Sequence, residues 1–299
     1  MRVLNIGSLN IDYVYRVDHF VRPGETLHAG TLRAGCGGKG LNQSAALARA
    51  GVETWHAGLT GPEGGFLREK LASFGVHTEL VREVGEPTGH AIIQVDGAGQ
   101  NSILLYGGAN RCMTEAFVDE ALAGFGPGDW LLAQNETVCV GHAVARAKER
   151  GLRTALNAAP ADGALREMPL ELLDLLFVNE VEGAFLAGTE EPEEIAAVLT
   201  ERYPETTLVL TLGEDGALAA RHGRETVRTA AFRVPTVDTT AAGDTFTGFF
   251  LRGVLDGRPP EDCLRLAAAA GAVAVTRRGA ADSVPSYEEA AAFLAERGR

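Results

Sequence analysis

Aromatic side chains are scarce in this chain, at 6% of its 299 residues, whereas glycine is common, with 37 residues. Because glycine lets backbone segments approach closely, this composition indicates tight loops and close packing rather than an aromatic-rich binding surface. Positive charge is also in deficit: 27 Lys and Arg face 40 Asp and Glu, which gives a formal net charge of -13. A protein this acidic repels nucleic acid and anionic membranes, so we expect neither as a partner.

Paired cysteines and long apolar runs are also absent from the sequence. The four cysteines are scattered without a Cys-x-x-Cys pair, which indicates inert thiols in a reducing compartment. The chain opens on an apolar strand without the pattern of a secretion signal, and no apolar run has the length needed to span a bilayer. We therefore expect a soluble cytoplasmic protein.

Apolar residues make up 45% of the sequence, enough for a large core. The first strand is expected to run from Val3 to about Leu9. After it, segments that alternate apolar and polar residues indicate an antiparallel sheet with one exposed face, and these segments are 11–17, 27–33, 90–95 and 102–106. We predict that they form a small sheet, called the lid below, drawn from about residues 11–35 and 88–107.

Short continuous apolar runs dominate the sequence from about residue 115 onward, with helical segments between them. Such alternation predicts a mainly parallel sheet covered by helices on both faces. The runs occupy residues 130–133, 154–156, 175–178 and 208–211. Since no linker or repeat divides the chain, we expect an α/β fold in a single domain over residues 1–299.

A glycine-rich segment, residues 35–43, precedes a helical stretch that is predicted to start at Ser44. It contains the letters G-x-G-x-x-G, and an acidic residue follows at a distance suited to a dinucleotide-binding motif. The strand before it alternates instead of being buried, however, which argues against that interpretation. Lys39, Asn42 and Gln43 supply the donors and acceptors that a hydroxyl-rich ligand needs. We favour a sugar site over a dinucleotide site or a purely structural turn.

A second segment of small residues, 237–246, leads straight into another predicted helix. The free N–H groups and the dipole of a helix start favour a negative charge, and Ala241, Ala242 and Gly243 have no bulk to block an anion. Asp244 follows at once. It is suited either to cap the helix or to act as a base toward a hydroxyl group that attacks a phosphoryl group held by the turn.

These two segments, in this order, resemble the two signatures of the PfkB family of sugar kinases. The first is Gly37-Gly38-Lys39-Gly40-Leu41-Asn42-Gln43 and the second is Asp238-Thr239-Thr240-Ala241-Ala242-Gly243-Asp244. The resemblance covers nearly the whole chain and implies a ribokinase-like α/β fold with a β lid. It also implies ATP-dependent phosphorylation of the primary hydroxyl of a sugar, with D-ribose as the expected substrate. Another sugar, a nucleoside, or a sugar-sensing protein without catalysis stay open as alternatives.

The resemblance further implies roles for individual residues. The sugar would be bound by Asn10, Asp12, Gly38, Lys39, Asn42, Glu136 and Asp244. Asp244 would also be the base, and the transferred phosphate would be held by Ala241, Ala242 and Gly243. The nucleotide would be bound by Asn179, Thr211, Gly213, Gly216, Gly243 and Gly271.

Two cations and an assembly are implied as well. Glu182 would order water around Mg²⁺. A K⁺ cage would be formed, partly through carbonyl oxygens, by Asp238, Thr240, Ala274, Arg277, Gly279 and Ser283. The alternative for Asp238 is that it only hydrogen-bonds backbone groups of its own turn. The resemblance also implies a homodimer that pairs the lids of two copies.

Overall fold

The computed structural model of the protein describes residues 1–297. This part of the chain contains thirteen strands, which form two sheets. In chain order they are β1 (Val3–Ile6), β2 (Asn10–Arg16), β3 (Thr31–Gly37), β4 (Thr54–Thr60), β5 (His77–Glu83), β6 (Gly89–Val95), β7 (Asn101–Tyr106), β8 (Trp130–Gln134), β9 (Arg153–Asn157), β10 (Leu175–Asn179), β11 (Thr207–Thr211), β12 (Ala217–Ala220) and β13 (Val227–Thr229).

The larger sheet has the strand order β13-β12-β11-β10-β9-β8-β1-β4-β5. The strands from β11 to β5 in this order are all parallel, whereas β12 and β13 join antiparallel at one edge. A parallel sheet needs both faces covered, which is why β8 is an almost unbroken apolar run and is buried at every residue. The prediction of a mainly parallel α/β sheet is confirmed.

Nine helices flank this sheet within residues 1–297. They are α1 (Lys39–Arg49), α2 (Gly65–Ser73), α3 (Glu115–Leu122), α4 (Val140–Glu149), α5 (Glu180–Ala187), α6 (Pro192–Arg202), α7 (Ala242–Leu255), α8 (Pro260–Val275) and α9 (Tyr287–Arg297). Helices α3 to α6 share one apolar core with the sheet, and α1, α7, α8 and α9 share another. Of the helices described here, none has the length and apolar character to cross a membrane.

The smaller sheet is the predicted lid, and its strand order is β3-β2-β6-β7. The prediction that it is antiparallel is wrong for one pair, because β2 and β6 run parallel. Between β3 and β6 the chain passes through α1, β4, α2 and β5, and a parallel pair needs such a long connection. The alternation in the sequence predicts a strand at 27–33, but the structure places β3 at Thr31–Gly37 because β3 pairs with the whole length of β2, ending with Asn10 opposite Gly37. The first strand is also shorter than predicted and ends at Ile6. There the chain passes so close to α1 that a Cβ on Gly7 would lie 2.6 Å from the Cα of Gly40.

Helix α1 starts earlier than the sequence predicts, at Lys39 instead of Ser44. Gly38 precedes it with a φ of 92°, in the left-handed region that glycine tolerates. The N–H of Leu41 donates to the carbonyl of Ser8 and so attaches the first helical turn to the segment between β1 and β2. As a result, the polar residues of the first glycine segment stand on a rigid helix rather than in a loop.

Helices α1 and α7 lie in close contact, and a glycine allows it. A Cβ added to Gly248 of α7 would lie 2.6 Å from the Cβ of Ala46 and 3.0 Å from the backbone N of Leu47, both on α1. No real side chain fits within such distances unless one helix moves. The contact therefore sets how near the start of α7 comes to the polar residues of α1.

We predict that Gly248→Ala lowers the free energy of unfolding by about 1–3 kcal/mol, because the added methyl group forces α7 away from α1. The measurement is urea unfolding followed by circular dichroism. Gly65→Ala is the matched control, since Gly65 is also helical and a Cβ there would meet no atom of the described chain within 4 Å. Equal midpoints for the two variants would contradict the proposed role of this contact.

Candidate active site

The carboxylate of Asp244, in the first turn of α7, is buried against α1. Asn42 Nδ2 donates to its Oδ2 at 3.0 Å, and Gln43 Nε2 donates to its Oδ1 at 2.8 Å. The carboxylate thus accepts hydrogen bonds from side chains of another helix, and the alternative that it merely caps α7 does not describe these contacts. The sequence pairs Gln43 with Lys39 and Asn42 as ligand-binding groups, but the structure buries Gln43 completely beneath Asp244.

Five charged side chains interact electrostatically around this point. Burial, together with the charges of Glu136 and Asp244, raises the pKa of Asp12 to about 7. Burial lowers the pKa of Lys39, but the carboxylates of Asp244, Glu136 and Glu182 outweigh it and raise that pKa above its usual value. Lys39 therefore remains a cation among carboxylates, and it is a source of three N–H donors.

Glu136 joins the start of α1 to the segment after β1. Its Oε2 accepts hydrogen bonds from Ser8 Oγ at 2.5 Å and from the backbone N–H of Lys39 at 2.9 Å. Ser8 Oγ in turn accepts from the N–H of Gly40 at 3.1 Å. The structure thus brings the predicted residues Lys39 and Glu136 together, and it adds Ser8, a small residue that the sequence does not distinguish from an ordinary turn serine.

The lid contributes Asn10 and Asp12 from β2. Asn10 Oδ1 accepts from Asn110 Nδ2 at 2.8 Å, and Asn110 Oδ1 accepts from the N–H of Leu9 at 3.0 Å. The Asp12 carboxylate lies so close to Gly37 that a Cβ on that glycine would stand 2.1 Å from its Oδ2. Asn110 lies about a hundred positions along the chain from Asn10, in a short turn without a motif, so sequence reasoning missed it.

The start of α7 has the features of an anion-binding turn. Ala241 precedes the helix with a φ of 60°, in the left-handed region that costs energy for a residue with a Cβ. A Cβ on Gly243 would meet no atom of residues 1–297 within 4 Å, so these residues leave space open beside this turn. Gly271 of α8 approaches the same turn, because its Cβ would lie 3.8 Å from the carbonyl oxygen of Ala242.

The predicted nucleotide residues lie at the carboxyl ends of neighbouring strands. Asn179 of β10 pairs with Thr211 of β11. Gly213 and Gly216 follow in a short turn with φ values of 53° and 99°, and a Cβ on Gly216 would lie 2.0 Å from the carbonyl oxygen of Thr229. Ligands of open α/β sheets bind outside the carboxyl ends of the strands, so this edge is suited to the nucleotide.

Glu182 is buried at the start of α5, where it forms a capping box with Asn179. Its Oε2 accepts from the N–H of Asn179 at 3.0 Å, while Asn179 Oδ1 accepts from the N–H groups of Val181 and Glu182. The Glu182 carboxylate also contributes to the raised pKa of Lys39. Asn179 and Glu182 therefore stabilise the start of α5, in addition to the roles predicted for them.

The two segments predicted to form the K⁺ cage also come together. Asp238 Oδ1 accepts from the N–H and the hydroxyl of Thr240, and Asp238 Oδ2 accepts from the N–H of Gly279 at 3.0 Å. Burial raises the pKa of Asp238, but these hydrogen bonds outweigh it and hold the pKa below its usual value. The contact with Gly279 goes beyond the turn of Asp238 itself.

The remaining residues predicted for the cage lie in the second of these segments, residues 274–283. Ala274 accepts from the N–H of Arg277 through its carbonyl, and Ser283 Oγ donates to the carbonyl of Ala280. The Arg277 side chain turns away and pairs with Glu289. The group of Arg277 that can bind a cation is therefore its backbone carbonyl oxygen.

A cavity of about 600 Å³ lies at the opposite edge of the sheet, where the strands begin. Its lining includes Lys148, Arg221 and Arg258. Each of these cations is paired with a carboxylate, that of Asp174, Glu205 and Asp256 respectively. The fourth lining cation, Arg153, lies over the ring of Trp130. Because three of the four cations are already paired with carboxylates, the carboxyl ends of the strands are the stronger candidate for the active site.

Comparison with known proteins assigns the chain to a family. The profile of the pfkB family carbohydrate kinases matches residues 2–287. The chain is 36% identical to ribokinase from Haemophilus influenzae, with 97% of each chain covered. It is 31% identical to deoxyribokinase from Salmonella typhi, with 98% of this chain and 99% of the relative covered. The solved structure of ribokinase from Arabidopsis thaliana, complexed with ribose and ATP, is 30% identical with a TM-score of 0.86 and 98% of both chains covered. The chain therefore belongs to the pfkB family of carbohydrate kinases.

Proposed function

We propose that this protein is an ATP-dependent kinase that phosphorylates the primary hydroxyl of D-ribose and releases D-ribose 5-phosphate and ADP. The observation that carries the proposal is the Asp244 carboxylate, held by two amides of α1 at the start of α7 and next to the anion-binding turn. Asp244 takes the proton of the hydroxyl, whose oxygen attacks the γ-phosphorus while the bond to the leaving ADP oxygen breaks. The ribokinases among its relatives support ribose as the sugar.

The sugar would lie between the lid and the start of α1. Asn42 Oδ1 is buried and has no donor among residues 1–297, although Asn42 Nδ2 is used by Asp244. A buried acceptor without a donor is costly, and a sugar hydroxyl would supply one. The other groups proposed to bind the hydroxyls are Asn10, Asp12, Gly38, Lys39, Glu136 and Asp244.

The nucleotide would lie over the carboxyl ends of β10 and β11. We assign its binding to Asn179, Thr211, Gly213, Gly216, Gly243 and Gly271. The γ-phosphate would face the turn of Ala241, Ala242 and Gly243, where the first N–H groups of α7 point outward and the helix dipole favours negative charge. Lys39 is a cation close to Asp244 and would offset part of the phosphate charge.

Mg²⁺ fits the residues at this edge of the sheet. Within residues 1–297 no three His, Cys, Asp or Glu side chains cluster as a metal cage, and Mg²⁺ commonly takes few protein ligands and keeps water and substrate phosphates. The buried Glu182 carboxylate, whose Oε2 is held by the Asn179 N–H, would order that water. Bound Mg²⁺ would neutralise phosphate charge during transfer.

The function is tested by ADP release with ribose, deoxyribose and a nucleoside as acceptors. We expect ribose to have the highest kcat/KM. Asp244→Asn should lower kcat by about 10²–10⁴-fold, the usual loss for a general base, while ribose binding measured by calorimetry is kept. Asp256→Asn, the same change at the exposed C-terminal end of α7, is the control and should retain full turnover.

Each arm of this experiment has its own contrary result. A preference for deoxyribose would move the protein toward its deoxyribokinase relatives. Near-native turnover of Asp244→Asn would remove Asp244 from the mechanism. Binding of ribose and ATP by the wild-type protein without any ADP release would show a sugar-sensing protein instead of an enzyme.

We also propose that K⁺ binds where Asp238 meets the segment after α8. Carboxylate, hydroxyl and carbonyl oxygens suit K⁺, and the proposed ligands are Asp238, Thr240, Ala274, Arg277, Gly279 and Ser283, several through their carbonyls. Hydrogen bonds from Val237 and Asp238 to the carbonyl of Val275 hold the two segments together. The cation would stabilise the turn that leads to Ala241 and would not touch the substrate.

We expect K⁺ to raise kcat several-fold over tetramethylammonium at constant ionic strength and saturating Mg²⁺. Asp238→Ala should abolish this activation. Asp96→Ala is the control, because Asp96 accepts backbone N–H groups in a turn of the lid in a similar way. Equal rates in the two salts would show that no functional K⁺ site exists.

We further propose a homodimer formed through the lids. Strand β7 is exposed at all of its residues and carries Ile103, Leu104 and Leu105, which are 54%, 68% and 52% exposed. An open sheet edge with apolar side chains favours pairing with another copy. The lid has little core of its own to stabilise it, since small isolated sheets are marginally stable.

Light scattering at micromolar protein concentration should therefore give twice the chain mass of 31.5 kDa. Leu104→Lys should shift the mass to that of the monomer, because it places a charge in the apolar contact. Val181→Lys is the matched control, since Val181 on α5 is 67% exposed and lies outside the lid. A wild-type monomer would refute the dimer.

A cytoplasmic location is part of the same proposal. The four cysteines, Cys36, Cys112, Cys139 and Cys263, are all free thiols. Free thiols are typical of reducing compartments, and the proposed reaction consumes ATP.

A further inference from the structure

The hydrogen bonds to Asp244 depend on how the side-chain amides of Asn42 and Gln43 are oriented. A glutamine side chain has a donor end and an acceptor end, and which end faces a neighbour is decided by the rest of its hydrogen bonds. Gln43 must turn its Nε2 toward Asp244, because an ionised carboxylate only accepts. A group that forces this orientation would prepare Asp244 for its role before any substrate binds.

The orientation can be traced from a backbone carbonyl. Asn5, in the middle of β1, donates from Nδ2 to the carbonyl oxygen of Gly40 at 2.8 Å. A carbonyl oxygen cannot donate, so this bond determines which end of Asn5 is which. Asn5 Oδ1 is therefore the acceptor, and Gln134 Nε2 donates to it at 2.9 Å.

Gln134 in turn determines the orientation of the Gln43 amide. Its Nε2 also donates to Gln43 Oε1 at 2.8 Å, which leaves Gln43 Nε2 to face Asp244 Oδ1 at 2.8 Å. Asn5, Gln43 and Gln134 are completely buried, so water does not compete for these bonds. The series of hydrogen bonds from the Gly40 carbonyl to Asp244 thus runs in one direction only.

We propose that Gln43, oriented by Gln134 and Asn5, is a positioning residue for Asp244. It supplies one N–H in a fixed direction, which holds Oδ1 while Asn42 holds Oδ2. The free lone pairs of the carboxylate then point toward the sugar hydroxyl. This inference rests on the proposed role of Asp244 as the base.

Other charged groups also act on Asp244. Lys39 of α1 and Asp12 of the lid interact with it electrostatically. Both face the proposed sugar site, so their influence changes when the sugar binds. Gln43 is uncharged and lies on the buried side, so its contribution persists in the enzyme–substrate complex and is seen in kcat rather than in KM.

Gln43→Met tests the proposal, because methionine has a similar length and no N–H donor. We expect kcat to fall by about 10–10²-fold, the order of loss for a misplaced catalytic group, while the KM values for sugar and ATP change by less than about threefold. A carboxylate that loses a hydrogen bond is easier to protonate. The acid limb of the kcat profile should therefore move to higher pH, which a merely structural defect would not cause.

Gln134→Met is a second variant that leaves every contact to Asp244 in place. It removes only the group that orients Gln43, so we expect a smaller fall in kcat with the same direction of pH shift. Ser44→Ala is the control. Ser44 accepts from Asn5 Nδ2 at 2.8 Å, but the bond from Asn5 to the Gly40 carbonyl remains without it. Its kcat and pH profile should match the wild-type values.

Circular dichroism must show that the compared variants are folded at the assay temperature. If Gln43→Met does not fold, the proposal is tested with Gln134→Met. A folded Gln43→Met, or in its place a folded Gln134→Met, with wild-type kcat and an unchanged acid limb would overturn the proposal. That result is distinct from failure of the proposed function, in which Asp244→Asn itself keeps its turnover.

Discussion

The structure depends on one close contact, that of Gly248 on α7 with Ala46 on α1. Because Gly248 has no side chain, α7 packs directly against the methyl group and backbone of Ala46, and the first turn of α7 reaches the first turns of α1. Asp244 can then accept hydrogen bonds from Asn42 and Gln43, which lie some two hundred residues away in the sequence. A methyl group at this crossing would separate groups that must lie within hydrogen-bond distance, so the packing of two helices controls the chemistry at their ends.

The second constraint is electrostatic. The chain is strongly acidic, yet the proposed reaction binds ATP, an anion. Local structure resolves this conflict, because the start of α7 offers N–H groups and the positive end of a helix dipole, and Lys39 remains a cation among three carboxylates. Burial, together with two of these carboxylates, Glu136 and Asp244, raises the pKa of Asp12 to about 7. The site therefore combines carboxylate acceptors with the cation Lys39 and the N–H groups at the start of α7.

Much of this arrangement is predictable from the sequence. The strands β8 to β11 are recognisable as apolar runs, and the two glycine segments identify the residues that surround Asp244. Strands β4 (Thr54–Thr60) and β5 (His77–Glu83) are not predicted from the sequence. Both contain polar residues among the apolar ones, and their burial depends on neighbouring elements. The start of α1 was misplaced because glycine at Gly38 and Gly40 is usually a sign of a loop, whereas here Gly38 precedes the helix and Gly40 lies within it.

The sequence by itself determined the residue types that the chemistry needs, since motif spacing along the chain preserves the order Gly-Gly-Lys and Gly-Asp however the chain folds. Only the tertiary structure decided which of them are buried and which hydrogen bonds they form. Gln43 and Asn42 are neighbours in the sequence, but successive helical residues point about 100° apart. Gln43 is buried against Gln134, while Asn42 Oδ1 has no donor within residues 1–297. Hydrogen-bond direction is set by partners from distant segments, and no local pattern in a single chain encodes it.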